Sequence, residues 1–195
     1  MNVYDFDKTI YDGDSSIDFY LYSLKRNPLI LATFPVQILG FILYFLKIYN
    51  KEKLKEKFFT FLRLIKNIDN YINDFWLNND KKIKKWYLFQ KKEDDIIISA
   101  SPEFLLKPLI EKLKIGNVIA TKVNKNTGKF ESKNCYGLEK VKRFKKLYGN
   151  KIINSFYTDS IKADKNMIKY SKESYIINGN IIKKYIPKIG NLYLK

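Results

Sequence analysis

Asn2-Val3-Tyr4-Asp5-Phe6-Asp7-Lys8-Thr9 opens the chain as a short apolar strand that runs straight into acidic residues. Gly13, Asp14, Ser15 and Ser16 follow as a turn and a helix start. In open α/β sheets ligands bind at the carboxyl ends of the strands. A strand ending in two carboxylates two positions apart therefore puts paired acids where such a fold does its chemistry. One carboxylate can attack phosphorus and form an acyl-phosphate. The other can protonate the leaving oxygen and then activate water. The two repel each other, which calls for a cation, and Mg²⁺ suits oxygen donors. Taken alone, Asp-x-Asp is a weak signal, because paired acids in a loop are usually just solvated.

Working outward, Ile17 to about Gln90 reads as mostly helical, with apolar and Lys-rich segments; Phe58, Phe59, Phe61, Leu62 and Ile65 recur at helical spacing. Beyond Glu93-Asp94-Asp95 the pattern changes. Ile96-Ile97-Ile98 is a β-branched run suited to a buried parallel strand. Ser101-Pro102-Glu103 reads as a helix start with Ser101 as N-cap, and the helix continues to Leu113. Asn117–Val123 reads as a strand, Asn124–Gly128 as a hairpin turn, and Leu138–Leu147 as a basic helix ending near Gly149. Ile152–Tyr157 is a further strand, and Tyr175–Ile182 a strand or hairpin turning at Asn178-Gly179-Asn180. Strands alternating with helices predict α/β layers around a mainly parallel sheet. The helical stretch is too long for one crossover, so residues 14–92 are expected to form an inserted helical cap. Residues 1–13 and 93–195 are then the core.

Three other places carry candidate chemistry. Ser99 ends the Ile96–Ile98 strand, where a hydroxyl and nearby N–H groups can hold a phosphoryl oxygen; Ser is also an ordinary strand-end residue. Lys140 sits just inside a helix start and can supply positive charge for phosphoryl transfer, or be one more surface lysine. Thr158-Asp159-Ser160-Ile161-Lys162-Ala163-Asp164 ends a strand with one acid and adds a second a turn later. That is a second carboxylate source for Mg²⁺, or simply a helix cap.

Asp-x-Asp-x-Thr at Asp5–Thr9, Ser99, Lys140 and Asp159-Ser160 with Asp164 occur in the order that resembles the haloacid dehalogenase superfamily of phosphatases. The resemblance spans nearly the whole chain. It implies a Rossmann-like core, Asp5 as nucleophile and Asp7 as acid/base. It also implies Mg²⁺ held by the Asp5 side chain, the Asp7 carbonyl and Asp159, with Asp164 a further metal partner or a supporting residue. Ser99, Lys140 and Thr9 would serve the phosphoryl group. A helical insert between the first Asp motif and the Ser motif resembles the phosphoserine phosphatase subgroup. Ile98–Glu103, Cys135–Val141 and Tyr157–Ser160 resemble phosphatidylglycerophosphatase C and its relatives. Asp14 falls where phosphoserine phosphatases read the substrate's amine; it also reads as a helix cap. Lys8 stands where the superfamily usually has Gly, and Asp159 to Asp164 is one residue longer than in similar sequences.

Composition sets outer limits. No His is present and Cys135 is alone, which removes His-based triads, Cys-rich metal sites and internal disulfides. Lys and Arg number 37 against 20 Asp and Glu, a net charge of +17 that favours anionic partners without choosing among them. Genome bias toward Lys explains such a surplus equally well. The carboxylate, Ser and Lys set has no use in a nucleic-acid-binding module, so no nucleic acid is expected. The expected partner is a phosphorylated small molecule or a phospholipid. Pro28–Leu46 carries no charge and is flanked by Lys25, Arg26, Lys47 and Lys51. A full membrane span would put the first Asp motif and Ser99 on opposite sides. The segment is therefore either the core of the cap, kinked at Pro35, or an element that dips into an anionic membrane surface. A cytoplasmic enzyme, peripheral at the inner face of the membrane, is the corresponding expectation.

Overall fold

The computed structural model describes residues 1–187; the last part of the expected core, residues 188–195, lies outside the described residues. Val3–Tyr4 (β1) lies between Ile96–Pro102 (β2) and Ile153–Thr158 (β4), parallel to both. Asn117–Thr121 (β3) extends the sheet beside β2, while Ser171–Asn178 (β5) and Ile181–Lys184 (β6) extend it beside β4. The order is β3-β2-β1-β4-β5-β6, parallel except for the terminal hairpin β5–β6, so the expected mainly parallel α/β sheet is present. β1 is only two residues long, yet it is central, and both acids that follow it leave from the middle of the sheet.

Alternate residues of a strand face opposite sides, and each side has its own core. Val3, Ile96, Ile98 and Phe156 point into one, packed under Leu138–Tyr148 (α7) and Ile161–Tyr170 (α8). Tyr4, Ile97 and Tyr157 point into the other, with Glu103–Lys112 (α6) and the helical unit between β1 and β2.

That unit holds Ser15–Arg26 (α1), Phe34–Phe45 (α2), Lys51–Phe58 (α3), Ile68–Asn79 (α4) and Lys85–Gln90 (α5), with 3₁₀ turns at Pro28–Thr33, Phe59–Leu64 and Asp80–Lys82. Phe59, Phe61 and Leu62 are buried as expected, but on a 3₁₀ turn rather than an α-helix. Asp14 caps α1 by accepting from the N–H groups of Ser16 and Ile17. The Trp76 indole donates to the Leu105 carbonyl at 2.6 Å and so ties α4 to α6.

The two chain segments linking the unit to the sheet run antiparallel as a short ribbon. Asp12 N–H donates to the Lys82 carbonyl at 2.9 Å, and Lys84 N–H to the Ile10 carbonyl at 2.8 Å. The buried Lys84 ammonium also donates to the carbonyls of Lys8 and Gly179, both at 2.7 Å.

α2 is packed in reverse. Its buried positions are Gln37 and Gly40. Gln37 donates to the Phe58 carbonyl and accepts from the Tyr20 hydroxyl. A Cβ on Gly40 would stand 2.6 Å from Lys57 Cβ, so only glycine lets α2 and α3 approach this closely. The apolar side chains face outward: Leu39 is 52% exposed, Phe41 56% and Phe45 88%. Pro35 lies in the first turn of α2 and starts the helix rather than kinking it. The 18-residue run Pro28–Phe45 has mean hydropathy 1.9 and is 17% buried, so it is not the core of the helical unit.

Candidate active site

Phe6 anchors the first motif. It is fully buried, stacked on Tyr11 and edge-on to Trp76, so the flanking Asp5 and Asp7 are turned out of the core. Lys8 then takes φ of 59°, a left-handed turn that L side chains adopt at a cost. That geometry accounts for a glycine being usual at this position.

Asp5, Asp7, Asp14, Ser99, Lys140 and Asp159 all line one cavity of about 480 Å³ at the carboxyl ends of β1, β2 and β4. Lys140 bridges two acids: its ammonium is 2.9 Å from Asp5 and 2.7 Å from Asp164. Gly137, at φ 59°, makes the turn that starts α7 and brings Lys140 here. Thr9 and Asp164 do not line the cavity. Thr9 is buried, and its hydroxyl accepts the Asp159 N–H at 3.0 Å, joining the first motif to the end of β4. Thr9 thus meets the cavity through the Asp159 backbone, with its own hydroxyl set back from the wall. Asp164 is fully buried, accepts from the Thr158 hydroxyl at 2.7 Å, and sits where the α8 backbone leaves helical geometry.

Asp7 accepts from the Ser15 N–H at 2.7 Å and from the Ser101 hydroxyl. Ser101 is thus not the expected N-cap. It belongs to β2, Pro102 occupies the cap position, and α6 begins at Glu103. Its i, i+2 spacing from Ser99 places both on one side of the strand; that was the available sequence signal. Ser99 is buried and accepts from Ser101 N–H at 3.1 Å. Lys51 and Lys55 on α3 also line the cavity. Nothing in the sequence distinguishes them from other lysines of a basic helix.

Burial pushes the Asp5 carboxyl up to about 7; Lys140 pulls it down, and Asp164 and Asp7 push it up again. Burial, reinforced by Asp14, raises Asp7 to about 6, against the pull of its hydrogen bonds. Asp159 is raised by burial and then by Asp164. Burial lowers Lys140, but Asp5 and Asp164 outweigh it and hold the ammonium charged. Among the described residues no three His, Cys, Asp or Glu side chains form a metal-ligating group. The available donors are the Asp5 and Asp159 carboxylates and the Asp7 carbonyl, all hard oxygens. Carboxyls raised by burial and by neighbouring acids fit a small divalent cation that keeps several waters.

The sequence profile of the haloacid dehalogenase-like hydrolases matches residues 3–169. No curated protein matches the chain. A protein of unknown function from Bordetella pertussis Tohama I has a similar structure, with TM-score 0.72 at 14% identity, over 89% of this chain and 87% of that one. A phosphoserine phosphohydrolase-like protein from Francisella tularensis subsp. tularensis SCHU S4 is also similar, with TM-score 0.54 at 16% identity, over 89% and 86%. These likenesses establish the fold.

Proposed function

This chain belongs to the haloacid dehalogenase-like hydrolase family, and we propose that within it the protein is a Mg²⁺-dependent phosphatase acting through an aspartyl-phosphate at Asp5. The observation that carries this reading is one cavity holding Asp5 paired with Lys140, Asp7 held by Ser101 and the Ser15 N–H, and Ser99. Asp5 attacks phosphorus, and the bond from phosphorus to the leaving oxygen breaks as Asp7 delivers a proton to that oxygen. Asp7 then takes a proton from water; the water oxygen bonds to phosphorus, the bond to Asp5 breaks, and inorganic phosphate leaves. Ser99 and Lys140 hold the phosphoryl oxygens. Asp164 positions Lys140, and Thr9 positions Asp159. Asp5, Asp159 and the Asp7 carbonyl would hold Mg²⁺, whose charge offsets repulsion between carboxylates and the phosphate dianion. The helical unit over residues 14–92 serves as the cap.

The outward apolar side of α2 supports a substrate met at a membrane surface, a phospholipid monoester such as phosphatidylglycerol phosphate. Phe41 belongs both to that surface and to the cavity wall. The flanking basic residues suit anionic headgroups and a cytoplasmic enzyme at the inner face. A small soluble monoester such as phosphoserine is the second reading. It is favoured by Asp14, which lines the cavity while capping α1.

The test is phosphate release from p-nitrophenyl phosphate, phosphoserine and phosphatidylglycerol phosphate in vesicles, each with Mg²⁺ and with chelator. Release that needs Mg²⁺ and vanishes in Asp5→Asn is expected. Metal-independent release, or a fully active Asp5→Asn, rules out the mechanism.

A further inference from the structure

Four lysines line the cavity, Lys8, Lys51, Lys55 and Lys140, and among the described residues only Lys140 is ion-paired with acids. Lys140 is shared by Asp5 and Asp164. Lys55 donates to two neutral acceptors, the Ala100 carbonyl at 2.9 Å and Asn134 Oδ1 at 3.2 Å. Lys51, one helical turn earlier, holds its ammonium 3.9 Å from the centre of the Tyr136 ring. Among the described residues neither Lys51 nor Lys55 has a carboxylate within 4.0 Å. At i, i+4 on α3 they share one side of the helix, where like charges disfavour each other.

Both respond as cations short of a counter-charge. Burial, then Lys51, lowers Lys55 to about 8, and Asp7 and Asp14 offset this only in part. Burial, then Lys140, lowers Lys51. A folded chain gains nothing from two mutually repelling lysines facing a cavity unless an anion enters between them. The Ala100 carbonyl that Lys55 grips is next to Ser99, so this charge adjoins the phosphoryl position without belonging to it.

We propose that Lys51 and Lys55 form a second anion position in the cavity, and that the substrates are phosphate monoesters whose leaving group carries another anionic group, a phosphodiester or a carboxylate. This rests on the phosphatase reading above and narrows its substrate class.

The test separates the two. Asp5→Asn blocks turnover, so affinity is read alone, by calorimetry with Mg²⁺ present. Ethyl phosphate has no second anion, phosphoglycolate adds a carboxylate, and glycerophosphoglycerol phosphate adds a phosphodiester. At least one of the two probes with an additional anionic group should bind about tenfold more tightly than ethyl phosphate, and the stronger one identifies the group. In Asp5→Asn with Lys55→Met the preference should collapse, and Lys55→Arg should keep most of it. Lys51→Met, at the exposed rim, should also reduce the preference and carries the test if Lys55→Met does not fold. Equal affinity for all three probes, no binding of any, or a preference that survives both methionine variants would overturn the proposal. Failure of the wild type to release phosphate from any of the three probes would instead count against the phosphatase reading.

Discussion

Lys8 is where backbone and side chain disagree. A lysine held at φ 59° carries a strain that glycine does not. Lys8→Gly should therefore stabilise the fold by about 0.5–1 kcal/mol, the strain relieved less the entropy glycine adds to the unfolded chain. Chemical denaturation reads this directly, and a destabilised variant would show that the Lys8 side chain contributes more than its backbone costs. Lys140 is the opposite case. Removing it leaves Asp5 and Asp164 facing each other without a cation, and breaking a buried ion pair costs about 3–5 kcal/mol. Lys140→Met should show that loss at neutral pH and a smaller one in acid, where the carboxyls protonate. A loss independent of pH would mean that packing, not charge, is what Lys140 supplies.

Helices and strands were readable from the sequence to different degrees, and α2 shows why. A β-branched run such as Ile96–Ile98 or a capped basic helix such as α7 carries its own signal, and both formed where expected. A run with almost every position apolar has no periodicity, so it cannot say which side faces inward. Only Gln37 and Gly40, three apart, departed from it, and they mark the buried side. Ser101 was misplaced because Ser-Pro-Glu fits both a helix cap and the end of a long strand, and pairing with β3 decided for the strand. That Asp5, Asp7, Ser99 and Lys140 gather at one cavity was readable because strand ends and helix starts are marked locally. Lys51 and Lys55 were not, since only tertiary packing brings α3 to the cavity. For α2 itself, Phe41→Ser with Phe45→Ser should weaken sedimentation with anionic vesicles severalfold, and wild-type binding should fall with salt. The melting temperature should stay close to wild type, because both side chains are largely exposed. A large drop in melting temperature would show that α2 is covered by the fold after all.

Across the protein, the cavity ties stability to pH and, on the proposed function, to metal as well. Asp5 and Asp7 titrate near 7 and 6 when folded, against 3.8 for a free aspartate. Between about pH 4 and 7 the folded state therefore holds more protons than the unfolded one, and metal-free stability should fall as pH rises. Mg²⁺ should flatten that slope by favouring the ionised acids, a change that thermal melts show without any substrate. A metal-free protein most stable at pH 8 would contradict it. The ribbon joining the helical unit to the sheet has a consequence of its own. Its entry and exit are zipped by two hydrogen bonds, and Lys84 pins the exit to the Lys8 carbonyl. Any tilt of the helices thus acts as a lever with its fulcrum at the loop that follows β1, rather than as a flap on two loose tethers. In hydrogen exchange the amides of Asp12 and Lys84 should open as one unit, and ligand capture should slow both by the same factor.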